Sequence, residues 1–563
     1  RGRYVPSRLF FLPQREMADQ MIDYDPEELY RYSAQKWLWN EPAQLLSRYV
    51  QFNMDALIHV AEEAAGHGSV CVNVSKLPEG NSNKVFLVTM EDGEQLIVKI
   101  PNPNSGPVHY TTASEVATMQ FVREILHIPV PKVLRYCSRA SESKLGAEYI
   151  VMEKAPGIEL GKIWEDLKSR DKLSIVEQIA AITCTLARSQ FPYHGALYKR
   201  QDVTRSESFV LDDEFAIGPT TGRAWFDSSR AEVEVSRGPC MCLTYLEWTS
   251  AGNVMKAIVQ REIACLEKFS SFPRHTQQGM FGGPGGYHPT KEAKLSVLHD
   301  FLKIFPCLLP TNEKLSAGVL WHNDLHMHNI FVDSENPSRI TSIIDWQGTP
   351  VYPMFLICHY PSLIEYEGPK LDGFTQPVLP ENIRTLDPEA KKAAKDLFLS
   401  QSFWLSYEID VQKAIPELLY AFRYRETLPG QILGIIGSTY DDGEPYVQSL
   451  LADITEEHAW KQLVGVDENG NPKVLCPLRY SKQDMARFKT EYAKWEKDIE
   501  RKARVIEQIG AYTGWNGAVS PHDYNEVAKR LAVAKQDFLA RESANEEERA
   551  IWEKLWPFQD SVK

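Results

Sequence analysis

The run His322-Asn323-Asp324-Leu325-His326-Met327-His328-Asn329 sets a carboxylate, three imidazoles and two carboxamides immediately ahead of the apolar segment Ile330-Phe331-Val332. A polar loop at 333–339 has turn chemistry, and a second apolar segment, Ile340-Thr341-Ser342-Ile343-Ile344, ends on Asp345. The pattern predicts a short antiparallel hairpin whose open end carries oxygen groups. Asn329 enters the first strand and Asp345 leaves the second, so pairing sets them side by side, with Asp324 on a loop at the same end. An amide oxygen beside a carboxylate is a hard-oxygen pair suited to magnesium that keeps waters and shares phosphate ligands. A free carboxylate nearby can orient a hydroxyl nucleophile. Such a set suits phosphoryl transfer. A hairpin with solvated polar ends is the plainer alternative, because the spacing alone is common.

Two further charges are misplaced by hydrophobic logic. Residues 70–100 alternate as strands around the turn Glu91-Asp92-Gly93-Glu94, and Lys99 lies inside the apolar strand Leu96-Ile97-Val98-Lys99-Ile100. Downstream, Glu115, Met119, Val122 and Leu126 fall on one stripe of a helix bounded by Thr111 and Pro129. A carboxylate on that stripe needs a cation, and Lys99 is the nearest candidate. Pairing explains both charges; a stem-buried lysine and a solvated glutamate would explain them separately.

His322, Asp324, Asn329 and Asp345 follow the H-x-D-x-x-x-x-N then Asp order of kinase-like folds, but the wording Trp-His-Asn-Asp-Leu-His and Ile-Ile-Asp-Trp-Gln is not that of protein kinases. It resembles the aminoglycoside/choline phosphotransferase family, and within it a fungal altered-inheritance-of-mitochondria branch. Trp37-Leu38-Trp39-Asn40-Glu41, the stretch 111–121 and Ile128-Pro129-Val130-Pro131-Lys132-Val133 share that likeness. The resemblance covers roughly 30–370.

The resemblance implies ATP and Mg2+ as cofactors. Asp324 would be the catalytic residue, with His322 bracing its loop, and Asn329 and Asp345 would hold the metal. Lys99, set by Glu115, would steady the phosphates. The turn Glu79-Gly80-Asn81-Ser82-Asn83 would cover them, with Gly80, Asn81 and Ser82 nearest, although one glycine makes a thin phosphate loop. The strand Tyr149-Ile150-Val151-Met152-Glu153 would lead into a hinge in which Met152, Glu153 and Ala155 hold adenine. Two departures stand out. His328 replaces a small residue before Asn329, and Gln347 replaces an acid two positions after Asp345, which leaves the site one charge poorer.

The expected fold is α+β and bilobal, like a protein kinase: a small, mainly antiparallel β N-lobe with one key helix, and a large, mainly helical C-lobe. Residues 1–69 form an N-terminal extension with leading helices, 70–155 the nucleotide-binding N-lobe, and 156–370 the C-lobe, with the hairpin at 322–345. An insertion falls at about 200–290, and 371–563 forms a helical C-terminal extension. Helical periodicity marks 173–189, 387–423 and 482–509, while Gly279-Met280-Phe281-Gly282-Gly283-Pro284-Gly285-Gly286 lacks the Gly-Lys-Ser/Thr of a P-loop and reads as a flexible loop or lid. The acidic run at 542–549 reads as a solvated helical face.

A chain of 563 residues with 43% hydrophobic and 25% charged residues can bury a large core. Its net charge of −14 leans away from nucleic acid as a partner, and no apolar stretch is long enough to span a bilayer. Nine scattered cysteines suggest reduced thiols, and Cys240 with Cys242 lacks a second pair for zinc. Two histidines of the 322–328 run could ligate a transition metal if that run were extended. Arg1, Arg3, Arg8 and Arg15 precede the first acid, Glu16, as in the remnant of a mitochondrial presequence; the resemblance favours the mitochondrion over the cytoplasm. The function expected is transfer of the γ-phosphate of MgATP to a hydroxyl of a small-molecule acceptor. The alternative is a nucleotide-binding pseudokinase acting as a mitochondrial scaffold.

Overall fold

The computed structural model describes residues 10–11, 26–66, 68–238 and 248–560. The basic N-terminal stretch, apart from Phe10 and Phe11, and the Cys240–Cys242 pair lie outside them.

Strict alternation builds the small lobe. Its strands are β1 (Phe10–Phe11), β2 (Cys71–Lys76), β3 (Asn83–Met90), β4 (Gln95–Pro101), β5 (Val133–Cys137) and β6 (Tyr149–Glu153). They form a six-stranded sheet in the order β1-β2-β3-β4-β6-β5, and every pair is antiparallel. Successive side chains of a strand point to opposite faces. Phe86, Val88, Leu96 and Val98 therefore pack with Leu57 and Val60 of helix α1 (Met54–Ala65) on one face. Lys99, which pairs in register with Val85 and Ile150, faces the other way, toward helix α2 (Tyr110–Glu124).

The large lobe is built on helices α3 (Ser169–Arg188), α4 (Ala251–Lys268), α5 (Lys291–Leu308), α6 (Pro388–Ala414) and α7 (Pro416–Glu426). Strands β7 (Ile158–Glu159), β8 (Ile330–Val332) and β9 (Ile340–Ile343) make a small antiparallel sheet at its upper edge. One apolar core runs from Val116 on α2 to Leu478, so the division at 370/371 marks a boundary in sequence rather than in packing.

The last helices, α8 (Lys482–Ile509), α9 (Tyr524–Glu542) and α10 (Glu546–Leu555), form a second apolar cluster with Trp39 and Met280. A short strand pairing, Trp37 with Ala518, ties the N-terminal extension to this cluster. The tryptophans of the C-terminal half, including Trp404, Trp460, Trp495, Trp515, Trp552 and Trp556, are all buried core residues. No helix among the described residues is long and apolar enough to cross a membrane.

Three expectations about the helical half need correction. The pattern over 387–423 is two helices, because Pro416 has no N–H to donate and pushes Ile415 out of the helical region, to φ −156° and ψ 84°. The acidic run at 542–549 is the joint between α9 and α10, capped by the Asn545 side chain, which accepts from Glu548 N. The glycine-rich 279–286 segment is not a lid. Met280 and Phe281 are buried, Met280 N donates to Asp498 O at 3.1 Å, and Tyr287 N donates to Asp498 Oδ2 at 2.7 Å. Its glycines let the backbone approach Trp552 closely: a Cβ on Gly283 would stand 2.0 Å from the indole.

Gly283→Ala is accordingly expected to cost at least ~1–3 kcal/mol, the usual range for an overpacked site. Gly434→Ala, where an added methyl meets nothing within 4 Å, is expected to be neutral or slightly stabilising. Urea titration of the two variants checks this; equal stabilities would mean that the glycine segment is not docked on α10.

Candidate active site

The hairpin β8–β9 pairs Ile330 with Ile343, and Ile344 N donates to Asn329 O at 3.0 Å, which sets the ends of both strands together. Pro129 O accepts from Ile343 N at 2.8 Å and joins the hairpin to the segment that follows α2. Asp345 then leaves the strand in a left-handed conformation, φ 66°. A non-glycine residue there costs of order ~1 kcal/mol and persists only where its surroundings impose it. Here Trp346 imposes it: its ring is fully buried and its Nε1–H donates to Ile343 O at 3.1 Å. The kink points the Asp345 carboxylate toward the small lobe, where Oδ1 lies 3.6 Å from Lys99 Nζ.

Lys99 Nζ also sits 2.6 Å from Glu115 Oε1 and 2.9 Å from Oε2. The Lys99 and Glu115 side chains are only 8% and 4% exposed, whereas that of Asp345 is 45% exposed. Burial works against the ammonium, but Glu115 and then Asp345 outweigh it and hold its pKa above the ordinary lysine value. Burial also pushes the Glu115 carboxyl up; Lys99 opposes this and Asp345 adds to it. The order sheet lysine, helix glutamate, hairpin aspartate thus forms one electrostatic chain across the two lobes.

His322 is buried beneath the loop at 323–329. Its Nδ1 accepts from Asp324 N at 3.2 Å, so the proton is on Nε2, which donates to Ile344 O at 3.0 Å. Burial pushes its pKa down, which favours the neutral ring that these two bonds require. The imidazole therefore links the loop to the hairpin and has no face free for chemistry. Asp324 projects outward with its side chain 67% exposed, Oδ2 lying 3.4 Å from His326 Nε2. Asn329 Nδ2 donates to Asp324 O at 2.9 Å, which leaves the amide oxygen as a potential ligand. An amide oxygen and an exposed carboxylate fit magnesium, which takes a few protein oxygens and completes its shell with water and phosphate.

A histidine metal site does not form. The run turns into a single 3-10 turn at Met327–Asn329 rather than staying extended. His326 Nδ1 accepts from His328 N, and His328 Nδ1 meets Glu159 Oε1 at 2.5 Å. Among the described residues no cluster of three or more His, Cys, Asp or Glu side chains could hold a metal ion.

The turn at 79–83 is fixed from below. Ser82 O accepts from Asn102 N, and Asn81 O accepts from Asn104 Nδ2, at 2.9 and 3.0 Å. Gly80 has open space around its Cα and no positive φ, so nothing in the backbone requires a glycine there. Beneath it Lys84, fully buried, donates to Glu79 Oε1, Asn102 Oδ1 and Arg48 O. Sequence reading missed Lys84 although the signal was present, since it shares the period-two face of Phe86 and Val88. Gln347 uses its neutral amide to hold the turn: Oε1 accepts from Asn83 Nδ2 at 2.7 Å, which bridges the lobes. At the hinge, Met152 and Ala155 are buried, and Glu153 N donates to Lys132 O at 3.0 Å. That donor is therefore not free for a base, which corrects part of the expected adenine contact.

Two lobes meeting at this lysine–glutamate–aspartate chain, above an exposed aspartate on a histidine-braced loop, define a kinase-like, two-lobed architecture. Residues 73–216 and 284–355 match the phosphotransferase enzyme family, and 217–283 between them do not. The chain is 27% identical to the subtelomeric hrmA-associated cluster protein of Aspergillus fumigatus, over 87% of this chain and 97% of that one. It is 21% identical to altered inheritance of mitochondria protein 9 of Yarrowia lipolytica, over 84% and 82% respectively. Among solved structures, aminoglycoside phosphotransferase APH(2'')-Ib, ADP-bound, aligns with 12% identity and a TM-score of 0.32, over 80% of this chain and 98% of that one.

Proposed function

We propose that this protein transfers the γ-phosphoryl group of MgATP to a hydroxyl of a small-molecule acceptor. The observation that carries this reading is the placement of Lys99, Glu115 and Asp345 in one chain at the same hairpin end as Asp324. In the reaction, the acceptor oxygen bonds to the γ-phosphorus as the bond to the β,γ-bridging oxygen breaks. The acceptor proton passes to Asp324, and ADP leaves. Lys99 would hold the α- and β-phosphates, with Glu115 fixing its position. Asn329 and Asp345 would hold magnesium, which neutralises charge on the phosphates when bound. The turn at Gly80, Asn81 and Ser82 would lie over the phosphates, and the main chain around Met152 and Ala155 would meet the base. His322 fixes the loop and takes no proton.

The scaffold reading draws support from Gln347, which is engaged in a hydrogen bond to Asn83 and brings no charge to the metal site. It predicts nucleotide binding without turnover. A mitochondrial location is supported by relatives named for mitochondrial inheritance, in Yarrowia lipolytica and in Saccharomyces cerevisiae.

Binding is tested by thermal denaturation with and without MgATP. Ligand that binds only the folded state raises the midpoint by mass action. The wild type is expected to shift, and Asp345→Ala, or wild type with EDTA, to lose most of the shift. An undiminished shift in either would overturn the metal assignment.

A further inference from the structure

The insertion approaches the proposed phosphate turn. Strand Phe215–Gly218 ends at Pro219, and the chain then crosses toward the small lobe as Thr220, Thr221, Gly222 and Arg223. Arg223 Nη1 lies 3.4 Å from Ser82 Oγ, at the tip of the turn at 79–83. The carbonyl of Thr221 lies beside Gly348, where an added Cβ would stand 3.7 Å from it. Gly348 O in turn accepts from Asn323 Nδ2 at 2.8 Å, next to Asp324. The crossing thus touches both the turn over the cleft and the loop beneath it.

Its base is rigid. Tyr198 Oη donates to Pro219 O at 2.6 Å, and Tyr352 Oη donates to Thr220 Oγ1 at 3.2 Å. Trp225, buried immediately after the crossing, donates from Nε1 to Tyr352 Oη at 2.6 Å and carries the Arg261 guanidinium 4.6 Å above its ring. Arg223 itself remains half exposed, paired with Asp227 at 3.2 Å, a contact of the partly solvated kind that a stronger anion displaces. The cleft's own side chains leave it short of positive charge. Lys99 already faces two carboxylates, Glu115 and Asp345, and Asp324 adds a third negative group. A polyphosphate entering there would meet more negative than positive side chains.

We infer that Arg223 is a phosphate-binding residue, delivered by the insertion to the outer face of the polyphosphate, where its planar fork can hold phosphate oxygens together with Ser82. It lies in the part of the chain that the family match skips. The assignment rests on the nucleotide reading proposed above.

The test is titration of MgATP and of adenosine, by calorimetry, into wild type, Arg223→Ala and Arg223→Lys. Arg223→Ala is expected to weaken MgATP on the order of tenfold, the size of one charge-assisted hydrogen bond, while leaving adenosine unchanged. Arg223→Lys should recover part of the loss, because the charge returns without the fork. Thermal midpoints without ligand should be equal for all three. Unchanged MgATP affinity in Arg223→Ala would overturn the assignment while leaving the nucleotide reading intact. An equal loss for MgATP and adenosine would also overturn it, since that is a structural effect. No MgATP binding by the wild type would overturn both.

Discussion

Asp324→Asn is expected to hold MgATP as tightly as the wild type and to turn it over ~10²–10⁴-fold more slowly, the usual contribution of a positioned general base. The expectation follows from where the carboxylate stands. Asp324 is exposed and is not paired with Lys99 or Glu115, so in the proposed reaction it would meet the acceptor rather than the nucleotide. Its backbone is fixed from both directions, by His322 Nδ1 at its N–H and by Asn329 Nδ2 at its carbonyl. The amide replacement keeps the shape and these backbone bonds and removes only the proton acceptor. Steady-state turnover with an acceptor, or slow hydrolysis with water in its place, reads the loss directly. Equal turnover in variant and wild type would mean that another group takes the proton.

Lys99→Met is expected to destabilise the fold by ~3–5 kcal/mol, because it leaves the buried Glu115 carboxylate without its cation and close to Asp345. Glu115→Leu should cost less. Lys99 then keeps Asp345 at 3.6 Å, and that carboxylate is half in water. The double variant, with apolar groups on both sides, should cost well under the sum of the singles, since two buried charges leave together. Urea denaturation of the four proteins measures the coupling. Additive and small losses would show that the pair is solvated in solution. Losses in the reverse order would show that Asp345 does not support Lys99.

The elements around the site were legible in the sequence wherever a single strand or helix carried its own contradiction. Lys99 sits in an apolar strand and Glu115 on an apolar helical stripe, and such charges announce a partner because burial without one is costly. The hairpin could be read from two β-branched runs joined by turn residues. Lys84 carries the same contradiction, a charge on the apolar face of Phe86 and Val88, but it stands at the start of its strand, next to the polar turn at 79–83.

What could not be read depends on residues far apart in the chain. The glycines at 279–286 look mobile in isolation; Trp552 of α10 shows why Gly283 must lack a side chain, and Asp498 of α8 does the same for Gly286. Arg223 reaches Ser82 across 141 positions, with no local pattern to mark it. The left-handed turn at Asp345 likewise depends on how Trp346 is buried, which no motif conveys. Pro416 was a local signal that the longer amphipathic pattern overrode.

The central claim is that these residues move a phosphoryl group, and it is tested most directly by following γ-labelled ATP. Wild-type protein, magnesium and a fractionated pool of hydroxyl-bearing small molecules are incubated, and the products are separated. The account predicts label in a phosphate ester, with one ADP formed for each ester, no such product with EDTA, and ~10²–10⁴-fold slower labelling with Asp324→Asn. If wild-type protein that binds MgATP leaves all the label in ATP, with every fraction and with water, the protein is a nucleotide-binding scaffold and the account is contradicted.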